Sequence, residues 1–298
     1  MDSLKNCKLC PRECGINRLD GKKGFCLSSD KVKIARVSLH SWEEPCISGT
    51  KGSGTVFFSN CTLRCVFCQN HKISSEGVGK EVSIERLSEI FLEQQARGAN
   101  NINLVTPTHY VPQIIEAIKL AKKNGLTLPI LYNSNGYVSL ETIKLLDGYI
   151  DVYLPDLKYF DDKYAVKYSK APNYFKVATN AIDTMFRQVG KPIFNEEGLI
   201  TKGVIIRHLM LPGLLFDSKK IMDYIYNTFN NSVYVSIMNQ YTPTFNAEKY
   251  PEINKPLNPK HYDALIDYSL SIGIENGFIQ DTGTNSKSFI PEFDLRNC

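Results

Sequence analysis

The chain reads as an α/β protein built on a mostly parallel sheet, and three observations carry that expectation. Short apolar runs alternate with segments of helical period, six such pairs follow one another, and Asn, Pro or Gly follows most of the runs. The first strand is Thr55–Ser59 (TVFFS), which leads straight into a cysteine-rich loop. Its helix is Ile84–Arg97, with Ile84, Leu87, Phe91 and Leu92 on one face. Asn101–Val105 and Val111–Lys123 form the second pair, Pro129–Asn133 and Ser139–Leu146 the third. Ile150–Leu154 is the fourth strand, followed by a mostly helical stretch from Asp161 to Val189. Gly203–Leu209 with Asp217–Phe229, and Val233–Met238 with His261–Ile272, complete the series. Consecutive units of this kind imply parallel strands with right-handed crossovers. Six fall short of the eight that close a full barrel, so pattern alone leaves open a partial barrel and a flat doubly wound sheet. Both architectures put function at the C-terminal ends of the strands.

Composition narrows the classes. A chain of 298 residues with 43% hydrophobic and 11% aromatic content suffices for a packed core in one large or two smaller domains. The formal charge of +4 comes with only short basic runs, such as Lys22-Lys23 and Lys122-Lys123, so neither nucleic acid nor a membrane is expected as a partner. The opening MDSLKNCKLC lacks the apolar stretch of a signal peptide. Val204–Phe216, the greasiest later run, is broken by Arg207, His208, Pro212 and Gly213 and is unfit to span a bilayer. A cytoplasmic location is therefore expected, and there nine cysteines read as metal ligands sooner than as disulfides. Five of the nine fall within residues 1–50, which suggests a Cys-rich metal-binding segment over 1–50 and the α/β body over 51–298.

Cys61, Cys65 and Cys68 stand in NCTLRCVFCQN with the spacing C-x3-C-x2-C, just past the first strand. Three thiolates on one loop suit three irons of a four-iron cluster, and a missing fourth thiolate leaves one iron open. An open position marks catalytic metal sites, whereas structural ones are closed. The competing reading adds His71 as the fourth ligand of a structural zinc, although intervals of three, two and two residues make a cramped tetrahedron. A second constellation, Cys7, Cys10, Cys14 and Cys26, has the spacing C-x2-C-x3-C-x11-C and fits either structural zinc or an auxiliary four-iron cluster. Cys46 is a spare thiol. Gly49, Gly52 and Gly54 precede a strand and lack a following Gly-Lys-Ser/Thr, so they form no phosphate loop.

The run GTVFFSNCTLRCVFCQN, with Phe67 just before the third cysteine, resembles the signature of the radical S-adenosylmethionine (SAM) superfamily, in particular the branch around pyruvate formate-lyase activating enzymes. The resemblance extends over roughly residues 50–285 and favours an open (β/α)6 partial TIM barrel. It implies a [4Fe-4S] cluster held by Cys61, Cys65 and Cys68, with SAM on the open iron. Reductive cleavage of SAM would give a 5′-deoxyadenosyl radical that abstracts hydrogen from a substrate, either a glycyl radical enzyme or another protein or peptide. An electron donor such as flavodoxin or ferredoxin is implied as well.

Strand-end residues then take expected roles, with Phe67 counted among the cofactor-binding positions. Thr106-Pro107-Thr108-His109 stands where the activating enzymes carry Gly-Gly-Glu, so Thr106 and Thr108 are the residues left to meet SAM, and His109 either faces substrate or bonds locally. Asn133-Ser134-Asn135-Gly136 resembles the family's Asn-Gly segment, with Asn133 and Asn135 as hydrogen-bonding groups. Asp156-Leu157-Lys158 matches an Asp-hydrophobic-Lys pattern in which Asp156 holds Lys158 toward the SAM carboxylate. Arg207, in VIIRHLMLPG, presents a guanidinium suited to a carboxylate of SAM or substrate; Lys158 and Arg207 are the expected catalytic pair. His208 faces the other way and is expected to be structural, and Gln240 ends the sixth strand. The rival to this enzyme is a zinc-stabilised binding protein without redox catalysis, with structural zinc at Cys7–Cys26 and at Cys61–His71.

Overall fold

The computed structural model describes residues 2–280 and 292–298. In chain order its elements are β1 (Val32–His40), α1 (Pro45–Ser48), β2 (Ser53–Phe58), α2 (His71–Ser74), β3 (Lys80–Val82), α3 (Ile84–Ala96), β4 (Ile102–Val105), α4 (Val111–Lys123), β5 (Ile130–Ser134), α5 (Leu140–Leu145) and β6 (Val152–Pro155). They continue with α6 (Asp162–Ser169), α7 (Tyr174–Val189), β7 (Ile193–Phe194), β8 (Ile200–Leu209), α8 (Leu215–Phe229), β9 (Tyr234–Met238), α9 (Pro259–Ser271) and β10 (Gly277–Ile279). All six expected strands and the helices between them are present. The helices start on side-chain caps where the sequence offers one: Ser83 Oγ accepts from Arg86 N at 3.1 Å, and Ser139 Oγ from Thr142 N at 3.3 Å.

Sheet order is β10-β9-β8-β6-β5-β4-β2-β1-β3. Along this path from β2 to β10 the pairings are all parallel, whereas β1 runs antiparallel to β2, β3 to β1, and β7, off the path, to β8. Four members of the sheet, β1, β3, β7 and β10, were not read from the sequence. β1 lies inside the 1–50 segment expected to be purely Cys-rich, so from Val32 that segment belongs to the sheet. β10, only three residues long, adds a parallel strand after β9.

The cavity decides between flat and curled sheets. One cavity of about 370 Å³ touches Phe57 on β2 and Phe278 on β10. Six strand spacings separate these two in the sheet order, roughly 29 Å if the sheet were flat. A space that small reaches both only because the sheet curls around it. This is the open partial barrel, with helices outside: Leu87, Ile90, Phe91, Ile114, Ile118, Ile182 and Ile221 pack their buried faces on it. Burial of that apolar surface, at about 25 cal/mol per Å², is what holds the layers together.

Candidate active site at the open end of the barrel

The three cysteines of the first loop line the cavity together with Thr106, Asn133, Asn135, Asp156, Lys158 and Arg207. These strand-end residues come from four separate strands, β4, β5, β6 and β8, and parallel order alone brings them to one edge. The loop enters through Asn60, whose positive φ of 73° turns the chain and whose N–H donates to Ile73 O at 2.7 Å. Arg64 then folds back to donate to the carbonyls of Cys61 and Leu63, both at 2.8 Å, which sets the loop's shape.

Each sulfur has a hydrogen-bonding neighbour. Cys61 Sγ accepts from Asn135 Nδ2 at 3.3 Å and from Leu63 N at 3.4 Å. Cys65 Sγ accepts from Ser169 Oγ at 3.0 Å, and Cys68 Sγ and Ser74 Oγ share a hydrogen bond at 3.2 Å. Burial pushes all three thiols up, Cys65 to about 12, while the positive charge of Lys158 acts in the opposite direction on each. Donors and a cation aimed at sulfur are what anionic thiolates need, so this donor set fits a thiolate-bound iron–sulfur cluster. The structural-zinc set is less well served. His71 stacks on Phe245 with centroids 4.7 Å apart, and its Nε2 lies 3.6 Å from Glu76 Oε1.

Asp156 and Lys158 project from the end of β6 and pair at 2.6 Å. Burial disfavours the ammonium, yet Asp156 and the thiols of Cys65 and Cys68 hold the Lys158 pKa above its ordinary value. Tyr174 fastens this corner: its hydroxyl donates to Asn135 O (3.0 Å) and Asp156 O (2.9 Å), and accepts from Lys158 N (3.1 Å). Gly136 completes it. A Cβ there would lie 2.3 Å from Asp156 O, and its φ is +76°, so the site requires glycine.

Two expected cofactor contacts lie outside the cavity lining. Thr106 does line the cavity, at a positive φ of 60°, with its N–H donating to Asn133 O at 2.9 Å. Beyond it the chain tightens into a 3₁₀ turn over Thr108–Tyr110. Thr108 Oγ1 pairs with the Tyr132 hydroxyl at 2.8 Å, and buried His109 bonds locally to Ser59 O at 2.8 Å. Burial lowers the His109 pKa to about 3, so the ring is neutral. Phe67 packs edge-on against Tyr241, with centroids 5.7 Å apart, beneath the loop. His208 is structural as expected, bridging Leu157 O (2.7 Å) and Ser218 Oγ (2.9 Å). Gln240 lines the cavity, and its carbonyl accepts from Gln69 Nε2 at 2.8 Å.

Arg207 lines the cavity already engaged. Its Nε donates to Glu44 Oε1 at 2.9 Å, and its Nη2 contacts both Glu44 Oε2 and Glu43 Oε2. Neither glutamate was singled out in the sequence. The only signal, an acidic pair beside the sole Trp in SWEEP, has no spacing that points to a site.

The N-terminal cysteines are drawn together as well. Burial raises the Cys10 thiol to about 12, with Cys26, Cys14 and Cys7 near enough to add to the rise. Gly24 lets the chain pass Cys14, since a Cβ there would fall 2.7 Å from its Sγ. This segment grips the cysteine loop. Arg12 Nε donates to Thr62 O at 3.3 Å, and the guanidinia of Arg12 and Arg64 both lie over Phe25, at 3.8 and 4.8 Å. Among the described residues no three His, Cys, Asp or Glu side chains form a preassembled single-ion site. Cys46 is elsewhere, packed with Ile47, Leu131 and Val152 at the opposite end of the barrel.

With this geometry in hand, comparison with known proteins defines the class. The model of the radical SAM superfamily matches residues 55–225, and the chain belongs to that superfamily. It is an enzyme of the radical SAM type, whose cofactors are a [4Fe-4S] cluster and SAM. More particularly, the chain is 27% identical over 239 residues to the pyruvate formate-lyase-activating enzyme of Clostridium pasteurianum, covering 76% of this chain and 91% of that one. An uncharacterised protein of Methanocaldococcus jannaschii is 31% identical over 274 residues, covering 89% of this chain and 74% of that protein. Among solved structures, Streptococcus suis SuiB bound to SAM matches with a TM-score of 0.51 at 15% identity over 76% of this chain. The chain spans about half the length of SuiB (49%), and at this identity the likeness bears on the fold alone. Spore photoproduct lyase, at 11% identity and a TM-score of 0.51, shares the fold over 82% of this chain and 79% of its own. Family membership sets aside the catalytically silent zinc scaffold. No helix among the described residues is long and apolar enough to cross a membrane.

Proposed function

We propose that this protein reductively cleaves SAM and uses the resulting 5′-deoxyadenosyl radical to abstract hydrogen from a protein or peptide, a glycyl radical enzyme being one such substrate. The observation that carries this reading is the convergence of the Cys61, Cys65 and Cys68 thiols on the same cavity as the Asp156–Lys158 pair. A cluster bound there supplies the single electron that breaks the sulfonium C–S bond. Lys158 offers a desolvated ammonium to the SAM carboxylate, and Asp156 keeps it charged and aimed. Thr106 and Asn133 offer hydrogen-bonding groups along the rim, and Asn135, already donating to Cys61 Sγ, steadies the cluster side. Arg207 acts on substrate through the carboxylates it gathers. Phe67 and Thr108 support the site from behind.

The relationship to a pyruvate formate-lyase-activating enzyme supports a macromolecular substrate. So does SuiB, a structural relative crystallised with the precursor peptide SuiA. Flavodoxin or ferredoxin is the proposed electron donor, and the cytoplasm the proposed location. Residues 51–298, together with β1 and the loop after it, form the proposed catalytic body. Cys7, Cys10, Cys14 and Cys26 are assigned to a second metal, zinc or an auxiliary [4Fe-4S], whose seat braces the catalytic loop through Arg12 and Phe25. Anaerobic reconstitution with iron and sulfide, reduction, and measurement of 5′-deoxyadenosine beside metal content test the whole reading. Product with about four irons assigns zinc or no metal to the N-terminal set, and about eight assigns a second cluster. A reconstituted, reduced cluster that yields no 5′-deoxyadenosine with or without candidate substrates refutes the reading.

A further inference from the structure

The positive charge of the chain is concentrated at its start. The 31 residues before β1 hold seven of the 35 Lys and Arg against four of the 31 Asp and Glu, so three of the four net charges sit in about a tenth of the chain. Lys5 pairs with Asp2 at 3.0 Å and Lys31 with Glu81 at 3.7 Å, whereas the exposed Lys8, Lys22 and Lys23 have no ion pair among the described residues. The cavity has the opposite balance, with Glu43, Glu44 and Asp156 lining it against Lys158 and Arg207. An acidic protein is therefore drawn to the N-terminal segment sooner than to the cavity.

The same segment brings its sulfurs toward that surface. Two backbone bonds, Cys7 N to Ile16 O and Gly15 N to Cys7 O, both 3.0 Å, close the turn that carries Cys10 and Cys14. Cys7, Cys10 and Cys26 are buried, and Cys14, half-buried, is the most open of the four. Gly24 packs against the Cys14 sulfur, so Lys22 and Lys23 lead the chain directly into that contact. Leu27, 48% exposed, closes the turn that begins at Gly24 and shares a cleft of about 200 Å³ with Lys23 and Lys31. Lys33, Glu76 and Glu81 also line this cleft, which makes three lysines to two glutamates. An apolar spot rimmed by lysines beside a half-open thiol set has the make-up of a small redox docking face.

On its inner side the segment meets the catalytic loop at the sulfur-bearing residues. Arg64 spans both cysteine sets: its Nη1 donates to Cys61 O at 2.8 Å and its Nη2 to the carbonyl of Phe25, the residue before Cys26. Arg12, two residues after Cys10, donates to Thr62 O, and Asn135 joins Thr62 Oγ1 (3.0 Å) to Cys61 Sγ (3.3 Å). Buried Arg18 turns its Nη1 to Cys7 Sγ at 4.0 Å, a cation placed where anionic thiolates need one. Zinc in this seat would be redox-inert, whereas a [4Fe-4S] cluster takes up and releases one electron. We propose that the segment before β1 is the electron-entry face of the enzyme: Cys7, Cys10, Cys14 and Cys26 hold a [4Fe-4S] cluster, and Lys22, Lys23 and Leu27 dock an acidic one-electron carrier against its Cys14 edge. The proposal rests on the radical SAM reading for the electron's destination. The reduced carrier is oxidised by one electron, which is held on the Cys7–Cys26 cluster and moves on to the cluster of Cys61, Cys65 and Cys68; no bond is made or broken on the way.

The test uses the full chain reconstituted with iron and sulfide, without SAM, and follows the bleaching of iron–sulfur absorption. Reduced flavodoxin and reduced ferredoxin are run in turn, each against photoreduced 5-deazariboflavin, an uncharged reductant that needs no docking face. The readout is the ratio of carrier-driven to deazaflavin-driven rates. Expected is a ratio that falls steeply with salt, and about tenfold in the double variant Lys22→Glu, Lys23→Glu. The same charge reversal at Lys122 and Lys123, exposed at the end of α4, should leave it within about twofold. Removing the seat with Cys10→Ala and Cys14→Ala should lower the iron content by about four per chain and the ratio at least tenfold. Equal slowing by the two lysine reversals, lysine dependence with neither carrier, zinc in place of the second four irons, or a ratio unmoved by the cysteine pair each overturns the proposal. Absence of 5′-deoxyadenosine on adding SAM, with both clusters reduced through the lysine face, refutes the radical reading and leaves electron entry standing.

Discussion

Replacing Arg207 by Met exposes how much of the barrel interior depends on one guanidinium. Arg207, 9% exposed, contacts both Glu43 and Glu44, and Met substitutes an apolar chain of similar length. The substitution leaves two buried carboxylates without their cation, and breaking a buried pair in this way costs roughly 3–5 kcal/mol. With an unfolding entropy of about 2 cal/mol/K per residue, that loss lowers the melting temperature by about 5–8 °C. The deficit depends on pH. In the parent, burial alone would raise the Glu44 pKa, but Arg207 holds it below its ordinary value. Glu44 thus contributes stability that is present above its unfolded pKa and lost as pH falls through the lower folded one. In Arg207→Met, desolvation of Glu44 loses its main opposing charge and lifts that carboxyl, so its protonated form fits the interior better. The gap between parent and variant is therefore widest near pH 8 and shrinks toward pH 5. Denaturant titrations of the full chain at several pH values measure it. A variant within about 1 °C of the parent at pH 8, or a pH-independent gap, refutes the reasoning. Adding Glu43→Gln and Glu44→Gln to the variant should recover most of the loss, since replacing a whole buried ion group is often neutral.

Other substitutions probe the rim. Cys65→Ala should abolish 5′-deoxyadenosine formation and lower the reconstituted iron content by about four per chain while circular dichroism stays native; retained cleavage sinks the ligand assignment. Lys158→Gln removes a buried charge-assisted partner worth roughly 1.5–3 kcal/mol, so calorimetry should give SAM binding weaker by about ten- to a hundredfold. Thr106→Gly should stabilise the chain by about 1 kcal/mol, because a β-branched residue at φ +60° is strained by somewhat more than glycine's added chain entropy; a lower urea midpoint contradicts this. Gly136→Ala drives a methyl toward Asp156 O and should cost more than about 2 kcal/mol, with SAM affinity falling as the Asp156–Lys158 corner shifts.

What the sequence revealed of the fold follows from how locally each element is specified. β2, β4, β5, β6, β8 and β9 are buried on nearly every residue, and such runs stand out against amphipathic helices. β1 carries Lys33 and Arg36 among its apolar residues and sits between four cysteines and the first barrel strand, so its pairing was masked by its neighbours. β10 is held by β9 and too short to announce itself.

The site divides along the same line. Asp156, Lys158, Asn133 and Asn135 were legible because a strand end plus two-residue alternation fixes where a side chain goes. Thr108 was placed at the site by its position in the family's Gly-Gly-Glu segment, past the end of β4, and lies elsewhere, because Thr106 turns into the left-handed region and the 3₁₀ turn after it carries Thr108 to Tyr132. Alternation predicts direction only while the strand lasts. The partners of Arg207 lay beyond any local rule. More than 160 residues separate Arg207 from Glu43 and Glu44, which approach from the other edge of the sheet, and only its curl brings them within reach. A guanidinium expected to await a carboxylate of SAM or substrate is met by two from its own chain, and the unpaired charge left over is negative. The loop after β1 therefore shapes the charge of this cavity as much as the strand ends do.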